Sequence, residues 1–358
     1  MAKQRIFDLP QTKGTFQLAG IVTGTSKDNF YTEKKTKTGK TFRNVNFGIT
    51  VNETPQGGLV NYVHLGGMER DNVYYFKRGD KAKGIESVTE TVPWKDRNSF
   101  QKEGFSLMGV NVGVKKITND KGAEVNDKKN LVEYDACEEI DQNLVDGVSV
   151  FSKGNVEYST YNDKRRVEFV PTQVSLCKPV DFKADGYVPN AAFTQVFVFM
   201  GVAPSEDKSK FIVSGKIVGY SSIEDAEFVI YKRDLALMFK NNLKPYTALK
   251  VWGDIQVQQN VDEVEVTDAW GDANKMDRQE SPVLRELVIT GADPKTIETE
   301  IYSQAHMEEA IAKISAAEQA KDDYGKNTKS ASSGSAASSG WGTTNTSDSS
   351  SDDEDEPW

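Results

Sequence analysis

Hydrophobic and polar residues alternate with a period of two through much of the first 180 positions. Phe16, Leu18, Gly20 and Val22 alternate with their neighbours and predict a strand over 14–22 with one buried face. A glycine inside a strand favours the strong bending that small barrels require. Residues 30–43 predict a long hairpin turning at Thr38-Gly39-Lys40, and its return arm continues through Val45, Phe47, Ile49 and Val51. A third strand is expected over 59–65, between Gly57-Gly58 and Gly66-Gly67. Residues 72–78 read as a short helix, and 79–130 as an insertion with one β-like run over 105–114. Acids early in 135–144, with Ile140 and Leu144 on one face, predict a helix. Residues 148–158 and 166–170 predict a last hairpin with its tip at 159–165, running on to Leu176 and closing at Pro179.

Strand, long hairpin, strand, helix and hairpin is the order of a five-stranded OB barrel. A polar linker over 181–190 leads to a second set in a similar order. Strands are expected over 193–202, 211–220 and 227–231, a helix over 234–243 led by Asp234, and strands over 248–258 and 284–290. Met307, Ile311 and Ile314 mark one amphipathic helix. The expected fold class is therefore mainly β with minor α. An OB-fold barrel with an insertion fills 1–180, and a second OB-like β domain fills 187–302. An amphipathic helix over 303–324 and a disordered acidic tail over 325–358 complete the chain. The tail is rich in Ser, Gly, Ala and Thr, so it has too little apolar surface to offset the entropy of ordering.

Charge divides the chain unevenly. The net formal charge of −10 combines +4 over 1–180, −10 over 181–324 and −4 over 325–358. A basic front on an acidic chain points to a polyanion bound at the front. The cations also cluster beside aromatic residues. Tyr31, Lys34, Lys35, Lys37, Lys40, Phe42 and Arg43 share the first hairpin, and Tyr74, Tyr75, Lys77 and Arg78 share 72–78. Tyr158, Tyr161, Lys164, Arg165 and Arg166 share the last hairpin. Two of these clusters fall on the loops that hold oligonucleotides in an OB fold. Lys and Arg neutralise phosphates, while aromatic faces stack on unpaired bases. Duplex DNA hides those faces and rewards a recognition helix, which the pattern lacks, so a single strand is the expected ligand. The acidic loops of the second domain favour a structural or partner-binding role there.

Other chemistry is thin. The chain has no phosphate-binding P-loop, no Cys-x-x-Cys, no nucleophile elbow and no His-Glu-x-x-His. Cys137, Cys177, His64 and His306 do not stand at metal-ligand spacing. The expectation is a binding protein with no catalytic residues, no metal and no cofactor, in the cytoplasm and without a membrane span.

The end of the chain is the most specific motif. Asp352, Asp353, Glu354, Asp355 and Glu356 are followed by Pro357 and Trp358. Acids, a rigid residue and a large aromatic on a disordered tether suit capture by a basic groove with an apolar pocket. Together with a basic, aromatic OB domain, this tip resembles single-stranded DNA-binding proteins, whose bacterial members end in acids followed by Pro-Phe. The insertion and the second domain have no counterpart in the bacterial type and the terminal residue is Trp, so the chain resembles the phage type, which implies the host-cell cytoplasm. The resemblance implies that the protein coats and protects single strands in replication, recombination and repair. It also implies that residues 352–358 recruit partner proteins. Two other readings fit the same residues: a recombination mediator or annealing factor, and a structural protein whose basic loops bind an acidic partner.

Overall fold

The computed structural model describes residues 5–52, 60–161, 164–258 and 284–330. The tip at 352–358 therefore lies outside the described residues. The first alternating stretches form β1 (Gly14–Thr23), β2 (Tyr31–Lys35), β3 (Thr41–Thr50) and β4 (Val60–Met68). Gly39 takes a φ of 79° in the turn between β2 and β3, a left-handed conformation that side chains disfavour. Phe16, Leu18, Val45, Phe47, Ile49, Val63 and Leu65 all face one interior.

β5 (Asn72–Lys77), just ahead of the insertion, forms a separate three-stranded sheet with β6 (Val88–Pro93) and β7 (Ser106–Leu107) of the insertion. The structure thus corrects the helix expected over 72–78. Val73 and Tyr75 are buried while Tyr74 and Phe76 are exposed, so the period is two. A run of β-branched and aromatic residues suits a pleated surface. Next come β8 (Val110–Gly113), β9 (Lys116–Thr118), β10 (Glu124–Asn126) and β11 (Lys129–Leu131). They are followed by α1 (Glu133–Asn143), β12 (Ser149–Tyr161) and β13 (Lys164–Leu176). β8 pairs with β11 and runs parallel to β13, so this half of the insertion is woven into the main sheet.

Five strands close a circuit: β1 pairs with β3, β3 with β4, β4 with β13, β13 with β12, and β12 with β1. Every pairing is antiparallel except β4 with β13, which meet side by side at Val63 and Phe169. α1 falls between the third and fourth strands of the circuit and packs on its underside through Ala136, Cys137 and Ile140. Gly67 permits this approach, since a Cβ there would lie 2.2 Å from the Tyr134 amide nitrogen.

The second half repeats the circuit with β14 (Asn190–Pro204), β15 (Phe211–Val218), β16 (Ile223–Ile230), α2 (Arg233–Asn242), β17 (Thr247–Gln258) and β18 (Leu284–Glu298). β14 pairs with β15, β15 with β16, β16 in parallel with β18, β18 with β17, and β17 with β14. Its interior is aromatic: Phe197 and Phe228 lie 4.7 Å apart. The two OB barrels join through their first strands, with β1 antiparallel to β14 from Gly14↔Gln195 to Ala19↔Asn190. α3 (Gln304–Ser330) places Met307 and Ala310 against Phe7, Leu9 and Val198, tying the N-terminal segment to the second barrel. Among the described residues, no helix is long and apolar enough to cross a membrane.

Candidate nucleic-acid interface

Alternation decides which side chains share the outer face of the first barrel. Val45, Phe47, Val63 and Leu65 point inward, so Asn44, Asn46, Gly48, Tyr62, His64 and Met68 point outward. Cross-strand partners set Gly48 opposite Tyr62, Asn46 opposite His64 and Phe42 opposite Met68. β2 extends the same face with Lys34 opposite Phe42 and Thr32 opposite Asn44. Tyr62 is 45% exposed and Met68 40% exposed. The Phe42 ring lies on Gly66, where a Cβ would stand only 2.9 Å from the ring edge. The face is therefore low at Gly66, beneath the Phe42 ring.

The loop between β1 and β2 forms one wall. Gly24 turns with a φ of 91°. Asp146 then accepts the Thr25 amide at 2.8 Å and the Ser26 hydroxyl at 3.2 Å. The Thr25 amide holds the Asp146 carboxyl below its usual range. This anchor places the Lys27 ammonium over the Tyr62 ring at 5.9 Å. Lys27, Asn29, Asn46, Gly48 and Tyr62 line a cleft of about 230 Å³. A cation beside an exposed aromatic ring, on a floor of amides and glycine, can neutralise a phosphate while a base stacks.

Sequence reasoning counted Lys27 with the cations of the first hairpin but gave Tyr62 and His64 no place in the site, because these two stand outside the dense charge clusters. The signal was nevertheless present. In a strand whose Val63 and Leu65 are core residues, Tyr62 and His64 must point outward.

The structure separates the expected residues by strand parity. Lys34 and Phe42 join the open face. Lys35 is exposed on the other side of the hairpin, and Lys37 stands on its tip. Lys40 is held by Asp71 at 2.9 Å. Arg43 points away from the open face. It donates to Glu33 at 2.8 Å and Glu138 at 2.7 Å, and stacks over Tyr134 at 4.0 Å. Tyr31 donates to the same Glu33 at 2.9 Å. Hydrogen bonds from Arg43 and Tyr31 hold the Glu33 carboxyl below its usual range.

On β5, Tyr74 is 47% exposed, while Tyr75 is 8% exposed and donates to the Arg97 carbonyl at 2.7 Å. Burial raises the Tyr75 pKa. Lys77 is exposed and lies 5.8 Å from the Phe105 ring, and Arg78 is exposed beside it. Tyr158 packs against the main core with its hydroxyl buried, and burial raises its pKa too. Tyr75 and Tyr158 are thus core residues and not stacking platforms: each falls on the inward parity of its strand.

The last hairpin does not flank the same groove as the first, which corrects the placement expected from the sequence. β12 has no β1 partner beyond Val156↔Gly14, so residues 157–161 overhang the first barrel. They reach the second. Thr160 donates to Glu224 at 2.8 Å, and Arg165 donates to Glu227 at 2.7 Å and lies 3.7 Å from Asp225. Asp225 also holds Lys216 at 2.7 Å. β16 has the same rank in its barrel as β4, so the corresponding outer face of the second barrel carries Asp225 and Glu227, which this hairpin touches while both stay more than half exposed. Lys164 is exposed at the start of β13, Arg166 follows Arg165 on that strand, and Tyr161 ends β12.

A family model described as YorF matches residues 79–327, more than half of the chain. The chain belongs to the YorF family. The YorF match takes in the insertion and the entire second barrel, while the open face on β2, β3 and β4 precedes it. No curated protein matches the chain. Among solved structures, the chain is similar to a crystal structure of wild-type single-stranded DNA binding protein from Thermus aquaticus. That match has 9% identity over 79% of this chain and 93% of that one, with a TM-score of 0.37. A deletion mutant of the same Thermus aquaticus protein matches at 9% identity over 79% of this chain and 94% of that one, with a TM-score of 0.35.

Proposed function

We propose that the protein binds single-stranded DNA on the outer face of β3 and β4 in the first barrel. One observation carries this reading. Tyr62 stands exposed beneath Lys27 on a glycine-lined floor, in a sheet face continued by His64, Phe42, Met68 and Lys34. Bases stack on the exposed rings, and phosphates run past Lys27 and Lys34. In this reading residues 1–180 are the DNA-binding unit, residues 187–302 support it, and Tyr74, Lys77 and Arg78 extend the path toward the insertion.

Binding single strands but not duplex shifts the melting equilibrium toward open strands by mass action. The protein thereby coats and protects unwound DNA in replication, recombination and repair, as a phage-type member would in the host cytoplasm. The tip from Asp352 to Trp358 recruits the partner enzymes. The test is fluorescence anisotropy of a labelled dT oligomer titrated with protein, with a duplex of equal length beside it. Tight binding to dT and little to duplex is expected. Equal binding to both, or none, would overturn the reading.

A further inference from the structure

The three-stranded sheet of β5, β6 and β7 has one dry face and one open face. Val73, Tyr75, Val92 and Leu107 pack on Val132 and Tyr134 at the start of α1. The same helical turn lies under the end of β4, where a Cβ on Gly67 would meet the Tyr134 amide nitrogen. Only residues 69–71 separate β4 from β5. Met68 on β4, and Tyr74 and Phe76 on β5, therefore all face away from one turn of α1, and all three are exposed. Met108, 58% exposed, stands beside Tyr74, whose carbonyl accepts the Met108 amide at 2.9 Å.

The neighbours of these side chains are polar without being acidic. Thr91 stands opposite Tyr74, and Thr89 and Ser106 stand opposite Phe76. Glu90 falls on the other parity and is held by Lys102. In the connection, Asp71 is held by Lys40 at 2.9 Å, and Glu69 accepts the Thr41 amide at 2.9 Å. Lys34 lies at the near end of the run, opposite Phe42, and Arg78 is exposed two residues past Phe76. An apolar patch alone would mark a protein contact. Cations at both ends and continuity with β4 favour a nucleic-acid strand, whose phosphates need the charge and whose unpaired bases need the rings.

We infer that the outer face of β5, β6 and β7 is a second stacking platform, where Tyr74, Phe76 and Met108 receive bases of the same strand that crosses Tyr62 and Phe42. This inference rests on the strand-binding reading of the open face. The platform sets the length of strand that the chain prefers. A short oligomer is satisfied by β3 and β4, and a longer one reaches Phe76.

The experiment measures the affinity of the full chain for dT oligomers of about 5 and about 16 nucleotides, near the two ends of the range of OB-fold site sizes. The Tyr74→Ala/Phe76→Ala variant is expected to bind the long oligomer at least about fivefold more weakly, the lower bound for one lost stacked base, and the short one as wild type does. Its salt slope on the long oligomer should match wild type, since no cation is removed. Thr89→Glu keeps both rings and tests the same face if the double variant folds poorly. A carboxylate opposite Phe76 should weaken binding of the long oligomer alone. Tyr62→Ala should weaken both lengths. Wild-type affinity for the long oligomer in either platform variant would overturn the inference and assign the patch to a protein partner. Equal loss at both lengths in Thr89→Glu would overturn it as well. Wild-type protein that fails to bind dT, or Tyr62→Ala that binds both lengths normally, would instead remove the strand-binding reading on which the inference stands.

Discussion

Phe42 and Arg43 are adjacent in sequence and serve opposite faces of one strand. Composition groups them, and parity separates them. Phe42 lies on the open face beside Lys34, while Arg43 closes a cluster with Glu33, Glu138 and Tyr134. Replacing Arg43 with alanine is expected to cost about 2 kcal/mol of stability, the scale of hydrogen bonds to charged groups. Urea denaturation checks this, and the salt slope of DNA binding should not change. The pH dependence has a definite sign. Glu33 is held below the usual carboxylate range in the folded chain, so its contribution is present above that range. It is lost as pH falls through the lowered folded value. The gap between wild-type and Arg43→Ala urea midpoints should therefore narrow in acid. Tyr62→Ala tests the other face. Removing one stacking platform should weaken dT binding by about 1–3 kcal/mol. Because the ring is exposed, the melting temperature should stay close to wild type.

At the scale of elements, the strands of both barrels were legible because each keeps one dry face and so alternates strictly. Residues 72–78 misled because apolar side chains crowd together there. The burial of Val73 and Tyr75 alone, with Tyr74 and Phe76 outside, shows the period. The destination of the β12–β13 hairpin could not be read from sequence. Arg165 finds its carboxylates about 60 positions away, and only the joining of β1 to β14 brings them within reach. That junction is tight at Gly14, where a Cβ would lie 1.8 Å from the Gln195 side-chain oxygen. Gln195 is fully buried and donates to the Val196 carbonyl at 2.7 Å, so it has little room to yield. Gly14→Val should lower the melting temperature by several degrees, a typical consequence of overpacking a small core. Thermal melting followed by circular dichroism checks it, and an unchanged melting temperature would mean that the seam can open without loss.

On the scale of the whole molecule, two barrels of one topology have diverged in what their outer faces carry. The first presents Tyr62, His64, Lys27 and Lys34 to solvent. The second presents Asp225 and Glu227, which Arg165 of the first barrel's hairpin pairs with. A charge balance of +4 over residues 1–180 and −10 over 181–324 was the sequence-level trace of this division. Its geometric cause, an acidic face answered by a neighbouring arginine, was not visible there. The protein should therefore offer one strand-binding face per chain. The most direct test compares dT binding across a salt series for wild type, the Lys34→Ala/Tyr62→Ala double variant and Arg165→Ala. The double variant should bind at least about tenfold more weakly and lose about 0.7 from the salt slope. Arg165→Ala should match wild type in both, since that cation is already paired within the chain. Loss of binding in Arg165→Ala, with the double variant unaffected, would contradict the account and move the strand to the second barrel.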